Sequence, residues 1–395
     1  MNNQERHTTT PKRRSWLGRV IHITGSSFMW GVTLVASLGL LVSAWGGQIN
    51  PEGNGRFGVI VMTLPFWIPV MLVTLCVNAV FFKRQALMSG IVLAMCLPRV
   101  CDIYPVGIGI NGERADEHGR SWTLMTYNCA ALIDLTEEYL GGLNPTYRII
   151  MDANADLVCL QECDGIEPRE YVHIDSAQVD SLSARYPYLI QDDINRMALL
   201  SRYPARELKL SHRGYDRGDG EIAAYEIDMG KDRQLLLVSV HLQSIGLTDA
   251  DKQFYGELTE PSTIEQAEER NGARSLVGRI RTDLASKLSM AGQHRARQAR
   301  LLASYIERYG RDNVIVCGDF NDVPGCYTLT LLESLGLRQV YSAVGRGYMA
   351  TFNRDKLWFR IDHVMWRGNL IPRDIKRIES KTSDHYPVIT RFVWR

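Results

Sequence analysis

The chain has 395 residues, of which 45% are hydrophobic and 23% charged, and its formal net charge is +1. This length exceeds that of a typical single domain, so we expect an additional segment beside a globular domain. The near-neutral charge argues against a protein whose main task is to coat nucleic acid, which needs a strongly basic surface, but not against an enzyme with a small basic cleft.

Residues 1–19 form a polar tail, which is followed by three apolar stretches, at about residues 20–45, 57–82 and 86–110. The first two are each long enough to cross the hydrocarbon core of a bilayer, which takes about 20 helical residues. A cleavable signal peptide has a shorter apolar region, so it does not account for two successive stretches of this length. The pattern predicts transmembrane helices rather than buried core helices.

The third stretch contains Arg99 and Asp102, which are costly in the middle of a membrane. It is either a third span with both charges near the interface or an interfacial segment. The residues from Ala86 to Pro98 cover only about 20 Å as a helix, so a crossing needs the residues as far as Ile110. We predict a span, because Arg99 and Asp102 lie about one helical turn apart and can offset each other's charge.

Basic residues flank the apolar stretches unevenly. They cluster in residues 12–19 and again at Lys83 and Arg84, between the second and third stretches, whereas the loop between the first two stretches contains only Arg56. The positive-inside rule therefore places the N-terminal tail in the cytoplasm. Three spans put the residues after 110 on the extracytoplasmic side, which is our prediction; two spans would leave them in the cytoplasm.

A polar linker, residues 111–120, separates this membrane region from a part in which short β-rich runs alternate with helices. The predicted strands are Ser121–Asn128, Leu157–Gln161, Met197–Ser201, Leu235–His241, Asn313–Cys317 and Ile361–Trp366. The predicted helices are Tyr147–Ala153, Ala296–Tyr309 and Leu329–Leu335. Residues 244–294 form a polar insertion between two core strands, which we expect to be helical from about residue 262 to 291.

Eight cysteines are spread along the chain without CxxC pairs or zinc-finger spacing. Several lie inside apolar strand-like runs, where buried free thiols are the favoured interpretation. A disulfide of Cys129 with Cys159 or Cys163 stays open, because the domain could face an oxidising compartment.

Polar residues recur where the predicted strands end. They are Asn128, Glu162, Asp319, Asn321, Asp384 and His385. Strand ends of a layered sheet protein converge on one edge, so these side chains can meet although they lie far apart in sequence. Carboxylates and amides provide the oxygen ligands that a hard cation such as Mg²⁺ requires. Histidines then serve proton transfer and charge stabilisation.

The motifs around these residues are typical of one family. They are Thr126-Tyr127-Asn128, Leu160-Gln161-Glu162, Leu200–Pro204, Val240-His241-Leu242, Gly318–Pro324, Ile361-Asp362-His363 and Ser383–Val388. Through them, residues 121–395 resemble the endonuclease/exonuclease/phosphatase superfamily, with its deoxyribonucleases, abasic-site nucleases, sphingomyelinases and inositol-phosphate phosphatases. The resemblance implies an α+β fold, a four-layer α/β/β/α sandwich of two packed, mostly antiparallel sheets, here preceded by two or three transmembrane helices.

The resemblance also implies a divalent metal site for Mg²⁺ or Mn²⁺. Glu162 would be the principal ligand and Asp384 a second carboxylate of the same site. Asn128 would help to hold both the metal and the phosphate.

Roles at the phosphoryl group follow in the same way. Asp319 would position or deprotonate the attacking water, and Asn321 would orient the phosphate beside it. His385, held by Asp362, would stabilise or protonate the phosphoryl group. His241 matches a phosphate-side histidine of the deoxyribonuclease and sphingomyelinase branches.

Three further residues are assigned with these motifs in mind. Arg202 is a candidate substrate-binding residue, although a strand-end arginine can also simply cover the sheet edge. His363 matches no catalytic position, and we interpret it as structural. Tyr127 stands where abasic-site nucleases have a tryptophan, which argues against a role in DNA repair.

The implied activity is that of a membrane-anchored hydrolase of phosphoester bonds, phosphodiesters in particular, by metal-assisted in-line attack of water. The substrate stays open between DNA or RNA and a phospholipid or other small phosphodiester. The non-enzymatic alternative is a catalytically silent, membrane-bound binding protein. The complete set of site residues disfavours this alternative. The insertion and the helix after it are rich in basic residues, which are Arg274, Arg279, Arg281, Lys287, Arg295, Arg297 and Arg300. These side chains could bind a phosphodiester backbone or anionic lipid headgroups, or they could simply form a solvent-exposed face.

Overall fold

The structure is a computed structural model. It describes residues 16–53, 55–107, 121–133, 142–166, 174–192, 194–209, 221–246, 273–354 and 358–395. The predicted linker, most of the N-terminal tail and the first half of the insertion, residues 247–272, lie outside these ranges.

The N-terminal region contains three helices that are long and apolar enough to cross a membrane. The described helices here are α1 (Trp16–Trp45), the short α2 (Arg56–Val61), α3 (Leu64–Phe81) and α4 (Lys83–Ile103). The helix of the third apolar stretch differs from its predicted extent. Helix α4 begins three residues earlier and ends at Ile103, so its 21 residues already reach about 31 Å. The expected continuation of this helix to residue 110 was therefore wrong.

The three long helices pack against one another through small and apolar side chains. Leu40, Met71 and Cys96 are buried between them, and the Asn78 amide donates to Thr33 Oγ1 at 2.9 Å. Many outward side chains of the bundle are large and apolar, Phe28 among them at 70% exposed. An apolar outer face is typical of a helix bundle surrounded by lipid.

The remainder of the chain forms two six-stranded sheets. Its strands are β1 (Trp122–Asn128), β2 (Leu157–Gln161), β3 (Tyr188–Asp192), β4 (Met197–Ser201), β5 (Ala205–Leu208), β6 (Glu221–Asp228), β7 (Gln234–His241), β8 (Val314–Asp319), β9 (Arg338–Gln339), β10 (Asp362–Arg367), β11 (Leu370–Arg377) and β12 (Val388–Trp394). The first sheet has the order β11-β12-β1-β2-β4-β3, and the second β5-β6-β7-β8-β10-β9. Among the described strands, β1 pairs with β2 and β7 with β8 in parallel, and the other pairs are antiparallel.

Helices cover the outer faces of both sheets. They are α5 (Pro145–Ala153) and α6 (Ser176–Arg185) on the first sheet, and α7 (Ala273–Tyr309) and α8 (Tyr327–Ser334) on the second. The short α9 (Val340–Val344) instead packs against β10 and β11 and contributes Val340 and Tyr341 to the core between the sheets. The second half of the insertion and the predicted helix at 296–309 are thus one continuous helix, α7.

The alternation of side chains along the central strands explains the layers. In β1, Leu124 points into the core between the sheets and Met125 into the core beneath α5 and α6. In β8, Ile315 and Val316 divide in the same way between the central core and the layer of α7 and α8. Both faces of these strands are buried, which is why they are almost continuously apolar. The predicted four-layer sandwich is confirmed.

The sheet domain contacts the apolar N-terminal helices directly. Helix α2 packs against α7, and the turn after α1 packs against α8. Glu52 lies in the first loop, which joins α1 to α2, and it binds Arg300 of α7 at 2.5 Å. At the end of α4, Arg99 binds both Asp102 and Glu333 at 2.9 Å. The predicted pairing of Arg99 with Asp102 is therefore present, and it lies at the junction with the domain.

Candidate active site at the edge of the two sheets

The predicted polar residues meet because the chain direction brings their strand ends together. Asn128 ends β1 beside the parallel end of β2, where Glu162 follows. His241 ends β7 opposite Asp319, the last residue of the parallel strand β8. Asp362 begins β10, which runs antiparallel to β8 and is in register with Asp319. One edge of each sheet thus contributes to a single cluster.

Local backbone geometry turns two of these side chains into the cluster. Glu162 and Asn321 both have a φ of +50°, a left-handed conformation that is uncommon outside glycine and is enriched at functional sites. The Asp319 carboxylate fixes the second of these turns by accepting from the Asn321 backbone N–H at 2.8 Å.

Asp319 Oδ2 is the centre of the cluster. It accepts a hydrogen bond from the Asn128 amide at 3.1 Å, and the same amide donates to Glu162 Oε1 at 2.9 Å. Nε2 of His385 lies 3.5 Å from this oxygen, and Nε2 of His241 lies 3.8 Å from it. The Asn321 amide also donates to it at 3.3 Å, so one carboxylate oxygen faces two imidazoles and two amides.

Each of these histidines is held from behind by a carboxylate. Nδ1 of His385 lies 2.9 Å from Asp362 Oδ2, and Nδ1 of His241 lies 2.9 Å from Glu221 Oε2. Such a partner fixes the tautomer and the orientation of a ring, leaving Nε2 to face the reactants. The Glu221 partner was missed from the sequence.

Charge within the cluster favours protonated histidines. Burial alone lowers the pKa of His385, but the carboxylates of Asp362 and Asp319 outweigh it and raise the pKa to about 10. Burial also lowers the pKa of His241. The hydrogen bond to Glu221 and the charges of Asp319 and Glu162 outweigh this effect, so the pKa is raised overall. Burial raises the pKa of Asp319, which favours its action as a proton acceptor.

These residues open into a cavity of about 370 Å³. The predicted residues that line it are Glu162, His241, Asp319, Asn321, Asp384 and His385. Asn128 and Asp362 are buried behind this wall and act on it through their hydrogen bonds. Arg295 and Arg354 also line the cavity, and their guanidinium groups lie 3.5 Å from Asp322 and 3.7 Å from Asp384 respectively.

Arg202 lies elsewhere, so its predicted contact with substrate in this cavity is corrected. Strand β4 runs antiparallel to β2, which puts the residue after its end beside the start of β2, away from Glu162. There Arg202 binds Asp156 at 3.0 Å and stacks over the Tyr186 ring. The sequence contained no signal for the direction of β4.

Other predicted assignments are consistent with the structure. His363 is buried, its Nε2 lies 2.9 Å from the Asp322 carbonyl oxygen, and its ring packs edge-on against Phe320. Burial and the nearby Arg360 lower the pKa of His363 to about 3, so it is a neutral, structural histidine. The eight cysteines are free thiols.

The donor set fits a hard divalent cation. Glu162 and Asp384 supply carboxylates to one cavity, and the carboxylates of the cluster repel one another unless a cation offsets them. Asp319, Asp362 and His385 also have ligand atoms within 4.8 Å of one another. However, Asp362 and Nδ1 of His385 are already hydrogen-bonded to each other, which leaves Glu162 and Asp384 as the better pair for a metal.

Comparison with known proteins identifies the family of the sheet domain. The model of the Endonuclease/Exonuclease/phosphatase family matches residues 125–385, and a Domain of unknown function (DUF8431) matches residues 26–101. A search of curated proteins gave no match.

Solved structures similar to the chain include three with sequence identities of 15–16%. An endonuclease/exonuclease/phosphatase from Beutenbergia cavernae covers 70% of this chain and 72% of its own, with a TM-score of 0.43. A family protein from Bacteroides thetaiotaomicron covers 70% and 99%, with a TM-score of 0.43. TDP2 from C. elegans covers 71% and 77%, also at 0.43. Because the family model spans more than half of the sequence, the chain belongs to the endonuclease/exonuclease/phosphatase family.

Proposed function

We propose that the protein is a membrane-anchored, divalent-metal-dependent hydrolase of phosphodiester bonds. The observation that carries this proposal is the surroundings of Asp319 Oδ2. This oxygen faces two histidines that are each held by a carboxylate, and Glu162 lines the same cavity. A carboxylate that can take a proton from water, next to two cationic donors, suits in-line attack of water on phosphorus.

The metal would bind Glu162 and Asp384. When bound, Mg²⁺ or Mn²⁺ supplies positive charge to the phosphoryl oxygens. Asn128, which is buried, would position Glu162 and Asp319 through its amide. Asn321 lines the cavity, and its amide already donates to the Leu242 carbonyl oxygen at 2.9 Å, which fixes the side chain beside Asp319.

Each proton that moves in the proposed reaction is taken up and given back by Asp319 and His385. The water oxygen bonds to phosphorus while the ester P–O bond breaks, and the water proton passes to Asp319 Oδ2. His385, which is protonated, gives its proton to the leaving oxygen. The 3.5 Å between Asp319 Oδ2 and His385 Nε2 then allows the proton to return from carboxyl to imidazole. His241 would stabilise the phosphoryl oxygens.

We further infer that α1, α3 and α4 span the membrane with the catalytic domain on the extracytoplasmic side. The basic residues before α1 and at Lys83 and Arg84 favour the cytoplasmic side for those ends. The opposite ends, the first loop and the end of α4, contact the domain through Glu52 and Arg99. Charge pattern and contacts thus favour the same arrangement.

The test uses the full chain purified in detergent and bis(p-nitrophenyl) phosphate as substrate. We expect hydrolysis with Mg²⁺ or Mn²⁺, its loss with EDTA, and recovery when the metal is added back. Glu162→Gln should remove most of the turnover without changing the thermal unfolding midpoint.

The matched control is Glu207→Gln, because Glu207 is an exposed glutamate of the edge strand β5. This variant should retain wild-type turnover. Hydrolysis that persists in EDTA would contradict the metal requirement, and absence of hydrolysis with either metal would favour a silent binding protein.

A further inference from the structure

The cavity at the catalytic cluster has two chemically different walls. Its floor is the set of carboxylates and histidines described above, whereas a side wall consists of Met62, Leu284 and Leu288. Phe352, Phe359 and Ile361 form the side of the cavity near His385. A phosphate group alone needs only the floor, so the apolar walls indicate a substrate with a hydrocarbon part.

The position of Met62 ties this side wall to the membrane. Met62 lies in the short link between α2 and α3, two residues before the span begins at Leu64. Leu284 and Leu288 lie one turn apart on α7, against which α2 packs. The contact is close, since a Cβ added to Gly55 would lie 2.0 Å from Ser289 Oγ. The side wall of the cavity therefore includes a residue that directly precedes α3, one of the three inferred spans.

The charges of the cavity fit a single phosphate better than a polyanion. The described cationic residues that line it beside the histidines are Arg295 and Arg354, and each lies against a carboxylate. Arg297 and Arg300, in the second half of α7, contact Glu52 of the first loop. A nucleic acid strand needs a run of cations that follow its backbone, and these contacts do not supply one.

We propose that the substrate is a lipid phosphodiester of the membrane itself. Its phosphate lies beside His241 and His385, where the metal that Glu162 would hold supplies further positive charge. Its hydrocarbon part lies along Met62, Leu284 and Leu288, which it reaches from the bilayer. This inference rests on the proposed function and adds the substrate class to it.

The test is a series of p-nitrophenyl alkyl phosphodiesters in which the alkyl group is methyl, butyl or octyl. The leaving group is the same in all, so only the contact with the alkyl chain changes. For the full chain in detergent micelles, we expect kcat/KM to rise at least about tenfold from methyl to octyl, well below the effect of fully burying every added CH₂. Leu288→Ser and Met62→Ser should bring the octyl-to-methyl ratio close to one.

Two further variants separate this effect from damage to the fold. Leu288→Met keeps an apolar side chain of similar volume and should retain the ratio. Met290→Ser changes a 52% exposed side chain on the same helix and should also retain it.

The outcomes distinguish this inference from the proposed function. If the wild-type ratio is near one, or if Leu288→Ser leaves it unchanged, the lipid inference is wrong while phosphodiester hydrolysis stands. Faster hydrolysis of a single-stranded oligonucleotide than of the octyl ester would likewise overturn it in favour of a nuclease. No hydrolysis of any ester with Mg²⁺ or Mn²⁺ would overturn the proposed function and this inference together.

Discussion

Asp319 Oδ2 lies 3.5 Å from Nε2 of His385, and the two side chains come from different sheets. Asp319 ends β8 in the second sheet, whereas His385 precedes β12 in the first. Ser383 fixes the His385 loop to the end of β1, because its Oγ donates to the Asn128 carbonyl oxygen and accepts from the His385 backbone N–H. The site therefore forms only when the sandwich is packed.

Both site histidines should be needed for turnover. We expect His385→Ala and His241→Ala each to lower kcat by about 10²-fold or more, the usual effect of removing an acid–base group. His363→Gln keeps a donor near Asp322 and should cost far less, since His363 lies outside the cavity. Steady-state kinetics on the phosphodiester check this. Equal losses at His363 and His385 would show that the wrong histidine has been assigned to the site.

Glu221 should act as a positioning residue for His241. Glu221→Gln removes the charge behind Nδ1, and we expect kcat to fall about 10- to 100-fold with KM and the unfolding midpoint little changed. Glu221→Asp should recover part of the loss because it restores the charge. A fall in thermal stability that accounts for the whole loss of activity would contradict this role.

His363 should make the folded chain sensitive to acid. Its pKa is about 3 in the folded protein and 6.5 ordinarily, so below pH 6.5 the unfolded chain binds a proton that the folded chain does not. Stability present above pH 6.5 is therefore lost as the pH falls toward 3, by up to about 1.4 kcal/mol per pH unit. His363→Gln, which cannot titrate, should show a shallower loss in pH-dependent unfolding. Parallel curves would disprove the assignment.

Gly47 should be essential for the contact between the first membrane loop and the domain. A Cβ at this position would lie 1.6 Å from the Gly325 carbonyl oxygen, whereas one at Gly53 of the same loop would meet nothing within 4 Å. We expect Gly47→Ala to destabilise the chain by roughly 1–3 kcal/mol, as other overpacked sites do, and Gly53→Ala to have no such effect. Thermal unfolding in detergent measures both, and identical midpoints would argue against the close approach.

The side of the catalytic domain can be read with reporters in cells. Alkaline phosphatase fused after Arg120 should be active, because three spans place this point outside the cytoplasm. A cytoplasmic reporter at the same point should be inactive. The reverse result would remove the third span and move the domain into the cytoplasm.

The meeting of most of these polar side chains was predictable because the residues directly follow apolar runs. Asn128 and Asp319 each close a strand that is buried on both faces, so their positions at a sheet edge follow from the sequence. Glu221 was missed because β6 was not recognised as a strand. Its signal was the tight turn at Gly230: pairing Asp228 with Gln234 and counting back along the hairpin places Glu221 opposite His241.

Other features depend on relationships that a sequence does not encode locally. Arg202 follows a strand as Glu162 does, but β4 and β2 run in opposite directions, and only the sheet topology shows this. Met62 lies in the membrane region and Leu288 in the domain, and their meeting depends on how the two parts pack. The extent of α4 was misjudged because Lys83 and Arg84 belong to the helix itself.

The side wall of the cavity includes Met62, which belongs to the N-terminal helical region and not to the sheet domain. Proteolytic cleavage between residues 108 and 120 would leave Met62 and α2 behind with the N-terminal helices. The liberated fragment would keep Glu162, Asp319 and both histidines but lose part of the apolar wall, and α7 would lose the cover of α2. Cleavage would thus change the shape of the cavity, and with it the selectivity of the proposed hydrolase, rather than only detach the domain.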